Sequence, residues 1–266
     1  MSIRADRAAM TSERFRRFGP ALLLAGGLVA FWQVYVVVSG ISPRVLPSPS
    51  RVVSQGWANR DVIAGHAAST IQVTLLGFAV SLAVSWVIAT CVDFSPWLRR
   101  ALVPLLVVSQ TLPVIAIAPL MIIWFGFGIA PKLLVIALVT FFPMTLGLIE
   151  GFASADKESD ALLRSMGASR RQQFRYVRVP SALPRFFTAL RIGITYAVVG
   201  AVFSEYVGAT SGLGIYMAQQ KNSFRTDLVL AAVLVTAVCS IVLFLLTYVA
   251  ERLVAPWALT AKAVDR

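Results

Sequence analysis

Long apolar runs, closed by charge or by proline and glycine, set the pattern of this chain. The plainest of them extends from Asp61 to Asp93 without an Asp, Glu, Lys or Arg between. A helix that crosses a bilayer needs about 20 mostly apolar residues, more than a soluble core helix usually carries. Read this way, the pattern predicts six spans: Ala21 to Val38, Ser69 to Val92, a third beginning at Ala101, Leu133 to Leu148, Phe186 to Val207 and Leu228 to Ala250. Pro104, Pro113 and Pro119 interrupt the third, so it is expected to be kinked or broken. Polar, proline- or glycine-bearing stretches separate the spans, among them Ser42 to Ser50, Gly151 to Arg185 and Gly208 to Gly214. The organisation expected is a basic N-terminal segment (1–20), an all-α membrane domain (21–255) containing a polar loop (151–185), and a short tail (256–266).

Composition supports this reading. The apolar fraction is 58%, above the roughly 45–50% of soluble domains. The formal charge of +12 would suggest nucleic acid in a soluble protein. Here the basic residues flank apolar runs, so they mark topology and contact with anionic lipid instead, and no nucleic-acid partner is expected. With the N-terminus inside, seventeen of the 24 basic residues fall in inside segments and six outside, leaving Arg191 at the inner end of the fifth span. That asymmetry places both termini in the cytoplasm. The first apolar stretch is too long for a signal-peptide core and is read as a retained span. Cys91 and Cys239 lie in apolar runs, without disulfide or metal-ligand spacing, and are expected to be buried free thiols.

The loop after the fourth span carries the most information. Asp156 is placed to cap a short helix, with Glu158 and Asp160 in its first turns, where negative charge suits the helix dipole. Leu162, Leu163 and Met166 give that helix an apolar stripe, and Gly167 suits the left-handed position that ends it. Ser169 then starts a second helix, with Gln172 three residues on completing a capping-box pattern. Phe174 and Val177 follow at helical spacing, and Val179, preceding Pro180, is biased away from the α region. The prediction is a helix–Gly–helix hairpin with much positive charge, including Arg170. Two roles fit it: an amphipathic loop lying on the inner leaflet, or a docking element for a cytoplasmic partner.

The same segment resembles the cytoplasmic signature loop of ABC-type importer permeases, whose pattern is Glu-Ala-Ala, three residues, Gly, nine residues, then Ile-x-Leu-Pro. Gly167 stands at the glycine and Val177-Arg178-Val179-Pro180 at the tail. Ala161, Leu162 and Leu163 stand at the first three positions, so the family's glutamate is missing at Ala161; either Asp160 or Glu158 substitutes, or that contact is absent. The likeness covers nearly the whole chain. Leu46 to Arg51, Gln110 to Pro113, Trp124 to Gly126 and Gly208 to Gly214 resemble the nitrate/sulfonate/taurine-type group, and Ser109 to Pro113 with Trp124 to Gly128 resemble its thiamine-precursor pyrimidine branch.

The resemblance implies a type I importer fold and a transport subunit, not an enzyme. It also implies a second, identical permease chain, a cytoplasmic ATPase dimer gripping the signature loops, and a periplasmic or lipid-anchored binding protein. The setting would be a bacterial inner membrane. This chain has no Gly-x-x-x-x-Gly-Lys-Ser/Thr phosphate loop, so ATP and Mg²⁺ belong to the ATPase, and no cofactor or metal is expected here. The Gly208, Ser211, Gly212 and Gly214 segment would lie near the periplasmic gate.

Polar groups inside spans are costly unless they face a cavity or a partner. Gln110 and Thr111, beside the kinking Pro113, are therefore candidates for the pathway. Glu205 is a gate candidate, although a solvated interfacial carboxylate is the simpler reading. Arg191 is read as a snorkelling inner-face charge, His66 as structural, and Gly147 with Gly151 as a spacing that permits close helix approach. A secondary transporter would show internal repeats and paired charges within spans. A membrane enzyme would need a catalytic His, Ser or metal cluster. Neither pattern is present; a membrane scaffold stays open.

Overall fold

The structure, a computed structural model, describes residues 2–111 and 113–257. Met1, Leu112 and residues 258–266, including Lys262 and Arg266 of the expected tail, lie outside the described residues, as do the side chains through residue 18 and those of Val114 and Ile115. The elements are α1 (Ser2–Ser39), α2 (Pro49–Ala58), α3 (Arg60–Phe94), α4 (Pro96–Ser109), α5 (Val114–Phe125), α6 (Ile129–Ala153), α7 (Lys157–Ser165), α8 (Arg170–Gln173), a π-helical turn (Phe174–Arg178), α9 (Val179–Gly208), α10 (Leu213–Asn222) and α11 (Thr226–Val254). No strand occurs among the described residues.

Five helical stretches are long and apolar enough to cross a membrane: Gly19–Ser39, Arg60–Phe94, Ile129–Ala153, Arg170–Gly208 and Thr226–Val254. The third expected span is instead two helices of 14 and 12 residues, α4 and α5. Pro113 precedes α5 in an extended conformation (φ −71°, ψ 104°). Proline has no N–H to continue the ladder and its ring clashes with the preceding turn, which accounts for the break.

The chain forms two compact units, Met1–Arg60 with Gln219–Ala231, and Asp61–Ala218 with Ala232–Arg266. The larger is organised on the contact between α6 and α9. A Cβ on Gly147 would come within 2.4 Å of the Ala189 Cβ, and one on Gly151 within 2.9 Å of the Ala182 Cβ. The Gly-x-x-x-Gly spacing therefore does bring two backbones together, where dispersion contacts replace a hydrophobic driving force that lipid does not supply. Met144, Leu148, Phe152, Ala182, Ala197 and Ala201 are buried along this seam. Trp86 of α3 meets Phe152 and Phe186 edge-on, with ring centroids 5.9 and 5.4 Å apart.

Three expectations need correction. Cys91 is exposed and Cys239 only half-buried, both free; an apolar helix face turned to lipid counts as outside even when its sequence reads as core. Arg191 does not snorkel: its guanidinium pairs with Glu251 at 2.9 Å, and that carboxylate is 1% exposed. Val179 lies in the α region (φ −62°, ψ −50°), so helix continues through Pro180 into α9. The π turn leads into this stretch. The Val179 N–H donates to the Phe174 carbonyl five residues back, which widens the coil just where the Pro180 ring would otherwise meet the preceding turn.

Candidate functional site

The loop between α6 and α9 folds as the hairpin its sequence indicates. The Asp156 carboxylate accepts from the Ser159 hydroxyl (2.6 Å) and from the backbone N–H groups of Ser159 (3.0 Å) and Glu158 (3.3 Å). Those bonds, the hydroxyl first, hold its carboxyl below the ordinary carboxylate range. Gly167 takes φ +81°, a left-handed conformation that glycine adopts without a Cβ penalty. Ser169 and Gln172 close a reciprocal capping box: the Ser169 N–H donates to Gln172 Oε1 at 2.7 Å, and the Gln172 N–H to Ser169 Oγ at 3.4 Å.

Beneath this turn lies an ionic base. One Arg178 nitrogen donates to both Asp93 oxygens (2.9 and 2.8 Å) and another to Asp160 Oδ2 (3.1 Å). Arg164 also donates to Asp160, at 3.3 Å, and to Gln173 Oε1, at 3.4 Å. The buried Gln173 returns a bond to the Ala168 carbonyl at 3.1 Å. Phe174 packs between Phe94 and Phe152, ring centroids 5.2 and 5.0 Å away. The hairpin is thus pinned to the end of α3 and to α6. A cavity of about 490 Å³ remains between Asp93, Arg164, Arg170 and Arg178.

The predicted apolar stripe divides. Leu163 and Val177 are half-buried, as is Pro180, while Ala161, Leu162 and Met166 face outward, the last two 63% and 74% exposed. Asp160 turns inward to its two arginines and Glu158 stays exposed. Asp93 escaped the sequence reading; its only sign was a lone acid closing a long apolar run.

At the break between α4 and α5, Gln110 and Thr111 are exposed and the Thr111 hydroxyl donates to the Val108 carbonyl (2.7 Å). Gln110 enters a cleft of about 350 Å³ with Ser109, Phe142, Pro143, Ile192 and Tyr196. Among the described residues, no charged side chain lines it. Thr111 and Pro113 are exposed beside it without lining it.

Glu205, at the far end of α9, is neither in this cleft nor solvated: it is fully buried. Its Oε2 accepts from the Thr70 hydroxyl (2.9 Å) and the Gly214 N–H (3.0 Å). The loop from Gly208 closes over it. The Leu213 N–H donates to Thr70 Oγ1 (2.8 Å), the Gly212 N–H to His66 Nδ1 (3.1 Å), and the Ser69 and Ser211 hydroxyls lie 2.9 Å apart. Gly212 has φ +122°, and a Cβ there would lie 2.2 Å from the Glu205 carboxyl carbon. The sequence treats these glycines as a flexible loop; the structure uses them to let backbone reach a buried carboxylate. His66 keeps its structural reading, with its ring 5.1 Å from that of Tyr216.

Residues 69–259 match the family model described as binding-protein-dependent transport system inner membrane component. The chain is similar to the formylaminopyrimidine transport permease protein ThiX of Halalkalibacterium halodurans, 34% identical over 86% of this chain and 92% of that protein. It is 35% identical to the riboflavin transport system permease protein RibX of Chloroflexus aurantiacus, over 86% and 87%. It is 33% identical to the taurine transport system permease protein TauC of Escherichia coli, over 86% of each. Among solved structures, the inward-facing MetNI methionine ABC transporter shares the fold, with a TM-score of 0.51 at 19% identity over 72% of this chain and 96% of that one.

Proposed function

This chain belongs to the binding-protein-dependent transport system inner membrane component family, and we propose that within it the helix–Gly–helix hairpin is the grip of a partner ATPase and the uncharged cleft is part of the solute path. The chain is a multi-pass membrane permease subunit of an ABC importer, a non-enzymatic transport component. In this reading the ATPase dimer supplies ATP and Mg²⁺, a second copy of the permease completes the pathway, and a binding protein delivers the solute. The hairpin and both termini face the cytoplasm, and the Gly208–Gly214 loop lies toward the opposite gate.

The observation that carries this reading is the hairpin's division of labour. Leu162 and Met166 stand exposed on a short capped helix, the form of anchor that enters a partner's groove. Its base is held by Arg178 between Asp93 and Asp160. The second half of the hairpin runs without interruption into α9, a single helical stretch of 39 residues. A push on Met166 is therefore delivered to α9 along the chain and to α3 through Arg178. Glu158, the exposed acid, is the better substitute for the charge missing at Ala161, because Asp160 is already spent on the base.

For the solute, the cleft supports an uncharged, ring-bearing compound of the pyrimidine kind over sulfonate or nitrate. Among the described residues of this chain no cation lines the cleft, and an unpaired charge at membrane depth is expensive. Gln110 offers both a donor and an acceptor to a heterocycle edge, beside Phe142 and Tyr196.

The test is to purify the chain from its native membrane, alone and as Gly167→Val, and measure the ATPase that accompanies it. We expect a stoichiometric ATPase with the native chain and its loss with the variant, at unchanged membrane insertion. Equal recovery with both would overturn the hairpin's role, and no ATPase with either would overturn the partnership.

A further inference from the structure

The smaller unit holds a second polar site that transport leaves unused. α1 ends at Ser39, α11 begins at Thr226, and the amphipathic α2 lies between them in sequence. The Ser50 N–H donates to Gln33 Oε1 at 3.1 Å, fastening α2 to α1. The Thr226 hydroxyl donates to the Arg44 carbonyl, fastening the start of α11 to the same connection. Within this frame a cleft of about 600 Å³ is lined by Arg44, Arg51, Gln55, Phe224, Arg225 and Asp227.

Three guanidiniums here face one carboxylate. The Asp227 side chain is 4% exposed; its Oδ2 accepts from Arg51 Nε (3.2 Å) and its Oδ1 from Arg225 Nε (3.1 Å). Arg225 also donates through Nη2 to Gln55 Oε1 at 2.9 Å. Both arginines are thus oriented through Nε, and Asp227 is used up by them. Among the described residues, the terminal nitrogens of Arg51 and the whole Arg44 guanidinium have no protein acceptor. The arrangement is a donor set held in place at Arg51 and Arg225, open at Arg44, with surplus positive charge.

Val45, beside Arg44, and Phe224, which lines the cleft, are 73% and 70% exposed; Val53 and Trp57, also exposed, lie on the face of α2 away from Arg51 and Gln55. Arg60 lies over the Trp57 ring, 5.3 Å from its centroid. Phe224 is held at φ +55°, a left-handed conformation that a bulky residue rarely adopts, and its ring is exposed. Cations beside exposed aromatic and aliphatic groups, at the ends of apolar spans, suit the headgroup layer of a bilayer. A soluble acidic partner would match the charge but not this rim.

We propose that the cleft binds the phosphate of an anionic phospholipid, its acyl chains lying along the exposed Val34, Val37 and Val38 of α1. The lipid is held by the forked donors of Arg44 and Arg51, and its net charge answers the excess that a zwitterionic lipid would leave.

The experiment is native mass spectrometry of the full chain, delipidated in mild detergent and titrated with phosphatidylglycerol, phosphatidylcholine or inorganic phosphate. Phosphatidylglycerol is expected to bind at least about fivefold more tightly than phosphatidylcholine, and Arg44→Gln to lose about fivefold of that preference. Arg44→Gln removes a side chain with no internal partner and should fold normally. If Arg51→Gln fails to fold, Arg51→Lys serves in its place, keeping the charge and losing the fork; it should weaken binding less than Arg44→Gln does. Equal binding of the two lipids, or no change in Arg44→Gln, overturns the proposal. Displacement of the lipid by millimolar phosphate would assign the site to the free ion, and loss of binding-protein capture in Arg44→Gln with lipid binding intact would assign it to an acidic protein; either overturns the lipid reading.

Discussion

The two ends of α9 are built on opposite plans. At one end, the hairpin presents Leu162 and Met166 outward and satisfies its charges below the surface, with Arg178 between Asp93 and Asp160. At the other, the Gly208–Gly214 loop turns its backbone donors inward onto Glu205, Thr70 and His66. The first leaves apolar side chains exposed. The second turns its donors onto one Glu205 oxygen and its neighbours, leaving Glu205 Oε1 without a partner among the described residues. One helix thus joins an outward-facing apolar surface to an inward-turned cap, and the proposed coupling needs both: a handle, and an end that does not dissolve when the handle moves.

The comparison breaks most sharply at the closed end. Gly214→Val would drive a Cβ to 2.2 Å from the Val202 carbonyl oxygen, where backbone cannot give way. We expect a loss of about 3 kcal/mol, or no folded protein, read from thermal unfolding in detergent; a stable variant would mean the loop is looser than described. Next in size is Arg178→Ala, which strands the largely buried Asp93 and leaves Asp160 with Arg164 alone. It should cost about 2 kcal/mol after allowance for the partial exposure of the guanidinium, concentrated in faster amide exchange across the hairpin. Arg178→Lys should recover only part, since one ammonium cannot bridge two acids with the fork's geometry.

At the open end the expectation reverses. Leu162→Ala with Met166→Ala should change stability by no more than about 0.5 kcal/mol, as exposed substitutions do, while ATPase capture falls by about tenfold. A stability loss like that of Arg178→Ala would mean the two side chains serve the fold. The smallest effect is a pH dependence at Asp156. Its carboxyl is held below the ordinary range, so the folded state binds the proton less readily than the unfolded chain does. The stabilisation is present above the unfolded-chain value of about 3.9 and is lost as pH falls through the lower folded value. Amide exchange at Glu158 and Ser159, corrected for intrinsic rates, should rise in that acid window, and Asp156→Asn should abolish the rise.

Much of the hairpin was legible in the sequence because its signals are local. Asp156, Gly167 and the Ser169–Gln172 box each act within three residues, and their side chains have little else to do. The break in the third span was legible because Pro113 acts on its own backbone. The illegible parts depend on distant partners. Arg178 looks like any basic residue until Asp93, 85 positions away, is brought beside it. Glu205 reads as solvated because nothing near it reveals Thr70, 135 positions earlier. Val179 defied its proline because the bias before a proline is a preference and not a bar; helix runs on through Pro143 and Pro184 as well. Chain-local chemistry predicts caps and breaks; burial of charge is decided by topology.

The π turn at Phe174–Arg178 has a further consequence. Such a turn amounts to one residue inserted into a helix, so it sets the rotational phase between the hairpin and everything beyond it on α9. Deleting a single residue there would restore the ordinary coil and rotate one part against the other by about 100°. Arg178 would swing off its two acids, or else the whole α9 seam, from Ala182 to Ala201, would turn away from Gly147 and Gly151. The five residues act as a keyway, and two faces of one rod stay aligned only while all five are in place.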